Sequence, residues 1–226
     1  MGAEGDYRLV RGVFEFYRGH FVTIAAQWVD DPEAVVADAS QRLDKMLPGL
    51  AYVNDPGHPF ALSLFYTAVS LAMHLALRDR GIATHDFGRA LLECQIANPI
   101  PEIDYASQLD KFKAAGDASL VHTEPGEFVF EVLTGSEDFD YGINVKSCGV
   151  CYLFSQHDAM DFVPYMCAGD DVLSDQADDG LRRTGTIGLG AHQCDFRYQK
   201  GGEPLQLWDQ YPELIQIGSS RGDLAH

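Results

Sequence analysis

The chain has 226 residues, enough to bury a sizeable core as one large domain or two small ones, and its composition, 46% apolar and 22% charged, is that of a folded protein. A formal charge of −18 excludes a surface built for nucleic acid, which needs a dense basic patch, and argues against docking on anionic lipid. Five cysteines, an odd number, follow an opening MGAEGDYRLV that lacks a basic stretch leading into an apolar one, so free thiols and a cytoplasmic location are expected rather than a disulfide scaffold.

Asp6 stands where a myristoylation site needs Ser or Thr, so no lipid anchor is expected. From Leu9 to Trp28 apolar residues recur at Leu9, Val13, Phe16, Phe21, Ile24 and Trp28, a helical period of about 3.6 residues. Asp31-Pro32 opens a second helix through Met46, with Pro32 suited to the first turn. LPGL and NDPGHP are turns. Phe60 to Leu77 is about as long as the shortest membrane-spanning helix, but Ser63, Thr67, Ser70 and His74 interrupt it. It is read as a helix buried inside the protein, with His74 a hydrogen-bonded core residue; such a helix is also compatible with a homodimer interface. Arg80-Gly81 ends it, Thr84 caps a further helix to Ala97, and a short helix is expected over Ile103 to Ala115.

The period then changes. Glu127–Leu133 alternates Phe128, Phe130 and Val132 against the other face, and FDYGINV alternates Phe139, Tyr141, Ile143 and Val145 inward against Asp140, Gly142 and Asn144 outward. Helices are expected from Gly149 to Met160 and from Phe162 to Ser174, then strands over Leu181–Leu189 and Cys194–Gln199 joined as a glycine-hinged hairpin with His192 at its tip. The sum is one α+β domain over residues 1–226, a helical N-terminal half packed on an antiparallel sheet of about four strands.

Reactive side chains concentrate in the C-terminal half. Cys94 lies on an apolar helix face and reads as a buried structural thiol. Cys148 ends a strand just before a helix, where a thiolate is favoured. Cys148 and Cys151 also have dithiol spacing, although the chain lacks the later elements and the facing proline of a thioredoxin-type fold. Cys167 and Asp170, three apart, share a helix face if that segment is helical. In CDFRY, alternation sets Cys194, Phe196 and Tyr198 on one side and Asp195 and Arg197 on the other. A thiol framed by aromatics suits a pocket wall and a plain core alike. Cys148, Cys151, Cys167 and Cys194 suffice in number for zinc, with His192 as a substitute ligand, but only the first two are close in sequence.

Three pieces of this region together resemble the L-2-amino-thiazoline-4-carboxylic acid hydrolase family: Cys148 after a strand, Cys-Ala-Gly-Asp from Cys167 to Asp170, and RRTGTIGLGAHQCDFRY from Arg182 to Tyr198. The helical first half matches only in general character. The architecture also resembles the vinyl-reductase-associated ligand-binding domains, with helices over an antiparallel sheet. What the resemblance implies is hydrolytic opening of a small carboxylate-bearing heterocycle without a cofactor or metal. Water adds at the amidine-like carbon, the ring C–S bond breaks and an N-carbamoyl-cysteine results. Read onto that chemistry, Cys194 is the first candidate nucleophile, then Cys148, then Cys167. Asp170 is the acid–base group, ahead of Asp195, and His192 is an alternative proton carrier. Arg182 or Arg183 would hold the substrate carboxylate, and Thr184 and Thr186 would orient ring heteroatoms. Direct attack by water, with the thiols only lining the site, fits equally well. A non-catalytic small-molecule binding module and a zinc-stabilised structural protein are the competing readings.

Overall fold

The structure is a computed structural model that describes residues 7–99, 106–121 and 123–210. The reading of Met1 to Asp6 as free of export and lipidation signals, and the start of the helix expected from Ile103, lie outside the described residues.

In chain order the elements are α1 (Arg8–Ala25), α2 (Pro32–Met46), α3 (Ala61–Arg78), α4 (Thr84–Ala97), α5 (Leu109–Ser119), β1 (Val129–Thr134), β2 (Tyr141–Ser147), α6 (Gly149–Ser155), α7 (Val163–Ala177), β3 (Cys194–Tyr198) and α8 (Leu207–Gln210). This is an α+β chain with a helical N-terminal half. It divides into two compact units. Described residues up to 87, with 124–127 and 149–162, form the first; those of 88–123, 128–148 and from 163 onward form the second.

In the first unit α1, α2 and α3 pack on one another and α6 packs on α3. Asp31 caps α2 by accepting the Ala34 N–H at 3.0 Å, with Pro32 in the first turn where its missing N–H costs nothing. α3 has the length and composition of a membrane span, yet 78% of it is buried inside the protein. His74 is a core residue, but its Nε2 has no hydrogen-bond partner. Its ring instead stacks on Phe162, with centroids 4.5 Å apart and planes 7° apart. Burial lowers its pKa to about 4, keeping it neutral in the folded state. α6 ends at Ser155 rather than at Met160, because Asp158 turns into the left-handed region (φ 49°). Thr84, expected to cap α4, is instead its first helical residue, and its hydroxyl donates to Asp161 at 2.5 Å.

In the second unit the sheet has strand order β1-β2-β3, all antiparallel. Register places Phe130 opposite Val145 opposite Cys194, and Val132 opposite Ile143 opposite Phe196, so one face is apolar, as the alternation predicts. On the other face Asn144, expected to point outward, is only 8% exposed. As part of the central strand it is flanked on both sides, and its amide donates to Glu131 at 3.0 Å, which also accepts from Lys146 at 2.8 Å. α5 packs on β1 through Gly116, where a Cβ would meet the Phe130 carbonyl at 3.0 Å. Ser119 Oγ accepts the Phe130 N–H at 3.1 Å and donates to the Gly116 carbonyl at 2.8 Å.

The sheet has three strands among the described residues, not four, and the expected hairpin does not form. Of Leu181–Leu189, only Arg182 bridges to β3, exchanging hydrogen bonds of 2.8 and 2.9 Å with Arg197. Beyond it the backbone N–H groups of Thr184 and Gly185 turn to the Asp195 carboxylate, at 2.8 and 2.6 Å, and Ile187–Leu189 closes into a single 3-10 turn ended by Gly190 at φ 96°. A side-chain acceptor thus outcompetes a strand ladder for these donors. Glycine is required there by space as well: a Cβ on Gly185 would lie 2.7 Å from the Gln193 carbonyl, and one on Gly188 would lie 2.4 Å from Val163 Cγ1.

Candidate active site

All the groups that converge belong to the second unit. α7 is helical through Cys167 and Asp170, which puts thiol and carboxylate on one face as their spacing predicts. Arg183 crosses to that helix with its side chain only 1% exposed. Its Nη1 donates to Asp170 Oδ2 at 2.9 Å, its Nη2 donates to the Cys167 carbonyl at 2.9 Å, and its guanidinium lies 4.9 Å from the centre of the Phe196 ring. A second carboxylate, Asp171, stands 3.6 Å from the same Nη2 and accepts the Leu207 N–H at 2.9 Å. Burial works against the charge on Arg183, but the two carboxylates hold it protonated more firmly than an ordinary arginine.

Burial raises both acids. Asp171, 2% exposed, is pushed to about 7 despite Arg183 and the Leu207 N–H, and its Oδ1 has no partner. Asp170 is raised too, chiefly by burial and against the pull of Arg183, although its side chain keeps 37% of its surface accessible. A carboxyl that is both deep and accessible is suited to exchanging a proton with a small molecule.

Two thiols, Cys167 and Cys194, interact electrostatically with this carboxyl, and a third, Cys148, interacts with both of them. Cys194, at the start of β3, is buried and its Sγ accepts the Ile187 N–H at 3.3 Å. Burial pushes its thiol up to about 11; the Ile187 N–H and Arg183 lower it, and Cys148 and Asp170 raise it. Cys167 is half-exposed, and burial pushes its thiol well above the usual range, with Asp170, Cys148 and Cys194 adding to the rise and Arg183 opposing it. Gly188 lies beside it: a Cβ there would sit 3.4 Å from its sulfur. Cys148, half-exposed, occupies the single residue between β2 and α6 and is in electrostatic contact with both other thiols. At neutral pH, Cys167 and Cys194 therefore rest as thiols, not thiolates. All five cysteines are free, and among the described residues no three His, Cys, Asp or Glu side chains cluster so as to hold a metal ion.

The structure thus brings together Cys148, Cys167, Cys194, Asp170 and Arg183. The other residues singled out in the sequence stand apart. Arg182 and Thr184 are exposed and alternate away from Arg183, and Thr184 Oγ1 donates to Asp195 Oδ2 at 2.5 Å. His192 is exposed in a turn, and Thr186 is buried, its carbonyl accepting the Leu189 and Ala191 N–H groups at 3.0 and 3.1 Å. Asp195, on the opposite face of β3 from Cys194, is lowered: burial would raise it, but hydrogen bonds from Thr184 and Gly185 outweigh that. Sequence reasoning missed Asp171 and the Ile187 N–H. The doublets Asp170-Asp171 and Arg182-Arg183 signalled a charge cluster without saying which member of each is buried.

A family model described as L-2-amino-thiazoline-4-carboxylic acid hydrolase matches residues 85–198, just over half of the chain. The matched stretch ends with β3 at Tyr198 and contains every residue of the converging group. No curated protein and no solved structure matches.

Proposed function

Because the chain belongs to the L-2-amino-thiazoline-4-carboxylic acid hydrolase family, we propose that it opens a small nitrogen- and sulfur-containing ring bearing a carboxylate, by adding water at the ring C=N carbon. Asp170 is the proton carrier of this reading. It accepts a proton from the attacking water and returns it to the departing ring sulfur, while the second water proton passes to the ring nitrogen as the carbon becomes a carbonyl, so that one water is consumed and one C–S bond is broken. Arg183 orients Asp170, and Cys167 and Cys194 are the thiols in electrostatic contact with that carboxyl. The observation that carries the reading is the accessibility of Asp170 at a depth where burial already raises its pKa, with a buried guanidinium fixing one of its oxygens.

The raised thiols favour water over thiolate as the attacking group. A sulfur nucleophile would first have to give up its proton, and Asp170 is the group placed to take it. The free state of all five cysteines supports a reducing compartment such as the cytoplasm.

The test is turnover of 2-aminothiazoline-4-carboxylate and of related cyclic amidines, followed by mass spectrometry for a product heavier by one water. Asp170→Asn is expected to lower turnover by about 10²- to 10⁴-fold, the usual contribution of a positioned acid–base group. Turnover that survives in Cys194→Ser, Cys148→Ser and Cys167→Ser supports direct attack by water. Full activity of Asp170→Asn, or failure of the wild-type protein to open any ring in the panel, refutes the reading.

A further inference from the structure

We propose that Asp195 is a positioning residue for Cys194: its carboxylate ties down the Thr184–Gly185 backbone so that the Ile187 N–H stays on the Cys194 sulfur and sets the acidity of that thiol. The inference holds whether or not the thiol takes part in ring opening.

The geometry is direct. Asp195 uses both oxygens on one dipeptide: Oδ1 accepts the Thr184 N–H at 2.8 Å and the Gly185 N–H at 2.6 Å, and Oδ2 accepts the Thr184 hydroxyl at 2.5 Å. The Asp195 N–H returns to the Gly185 carbonyl at 3.3 Å, which closes the clamp. The next residue, Thr186, accepts the Leu189 and Ala191 N–H groups at its carbonyl, and between the clamped Gly185 and Leu189 the Ile187 N–H meets Cys194 Sγ at 3.3 Å. Cys194 and Asp195 are neighbours on a strand, so they point to opposite faces. The carboxylate therefore reaches the sulfur only by way of this loop. A donor held on sulfur favours the thiolate over the thiol, and the acidity of Cys194 depends on that donor staying in place. The other ionisable groups facing this sulfur are Cys148 beyond β2, Cys167 and Asp170 on α7, and Arg183.

A simpler account gives Asp195 only the effect of a nearby negative charge, and the two accounts predict opposite signs. Removing the charge in Asp195→Asn would make Cys194 more acidic if charge alone mattered. Releasing the clamp would make it less acidic. The experiment is the rate of alkylation by iodoacetamide against pH, resolved by cysteine through peptide mass spectrometry, on the full chain. In Asp195→Asn the pH of half-maximal alkylation of Cys194 is expected to rise by about one unit, so that alkylation at a fixed pH below it slows about tenfold. Cys94, on α4 and hydrogen-bonded to Asn98, serves as the unmoved reference. Thr184→Val keeps the charge and removes one of the three hydrogen bonds, so it should give a smaller rise; it decides the matter if Asp195→Asn does not fold. Hydrogen exchange at the Ile187 amide should quicken in both variants. A midpoint that falls or stays put, whatever happens to thermal stability, overturns the proposal.

Discussion

Replacing Asp171 by asparagine isolates the energetics of a buried acid with a calculable sign. An ordinary aspartate ionises near pH 3.9, whereas Asp171 in the folded chain holds its proton to about pH 7 because burial outweighs Arg183. The raised value means that the folded state is favoured by low pH. From about pH 4 upward the unfolded chain releases this proton while the native chain keeps it, so stability declines as pH rises, and the decline ends near pH 7. Each unit in that window removes about 1.4 kcal/mol, so between pH 5 and pH 7 the native state loses at most about 3 kcal/mol through this one group. Asparagine keeps an acceptor for the Leu207 N–H but does not titrate. Asp170, Arg183 and the thiols remain in both proteins, so their contributions largely cancel in the comparison. The assay is urea denaturation at pH 5, 6, 7 and 8 for wild type and Asp171→Asn. The wild-type curve should fall more steeply up to pH 7, and the two should run parallel above it. Curves that stay parallel throughout, within about 0.5 kcal/mol, would refute the reasoning.

His74 should act in the opposite direction: neutral in the native state to about pH 4, it makes the chain lose stability as pH falls from about 6.5, and His74→Phe should spare about 2 to 3 kcal/mol of that loss between pH 7 and 4.5, read by the same denaturation series. Gly188→Ala drives a methyl group to 2.4 Å from Val163 Cγ1 and should cost about 1 to 3 kcal/mol, displacing the turn against Cys167; adding Val163→Ala should restore part of the stability and of the turnover. Ser119→Ala leaves the Phe130 N–H without its hydroxyl partner and should cost about 1 to 2 kcal/mol in denaturant midpoint measurements, with turnover unchanged.

The parts of the fold that were legible in the sequence are those set by local physics. Asp31-Pro32 marks the start of α2 because a carboxylate cap and a proline without N–H suit the same turn, and FDYGINV declares its apolar face because a strand alternates with a period of two. Leu181–Leu189 has the local pattern of a strand but does not form one, because the Thr184 and Gly185 N–H donors are claimed by Asp195, a residue further along the chain whose reach no local pattern discloses. The spacing of Cys167 and Asp170 was readable once α7 was expected to be helical. By contrast, which arginine of Arg182-Arg183 turns inward depends on the single bridge between Arg182 and Arg197, a long-range event. The same holds for Asp170 and Asp171: both lie against Arg183, and only the arrival of Leu207 commits Asp171 to the interior.

A three-stranded sheet has two open margins, and each is stoppered by something other than a strand. On β1 the hydroxyl of Ser119 occupies the N–H of Phe130, and on β3 the bridge through Arg182 occupies Arg197, with Leu205 drawn in behind it by the Leu181 carbonyl at 2.9 Å. Unstoppered margins of this kind recruit strands from other molecules and seed aggregates. These few small contacts therefore guard the chain's solubility at high concentration, in company with the mutual repulsion of molecules that each carry a formal charge of −18.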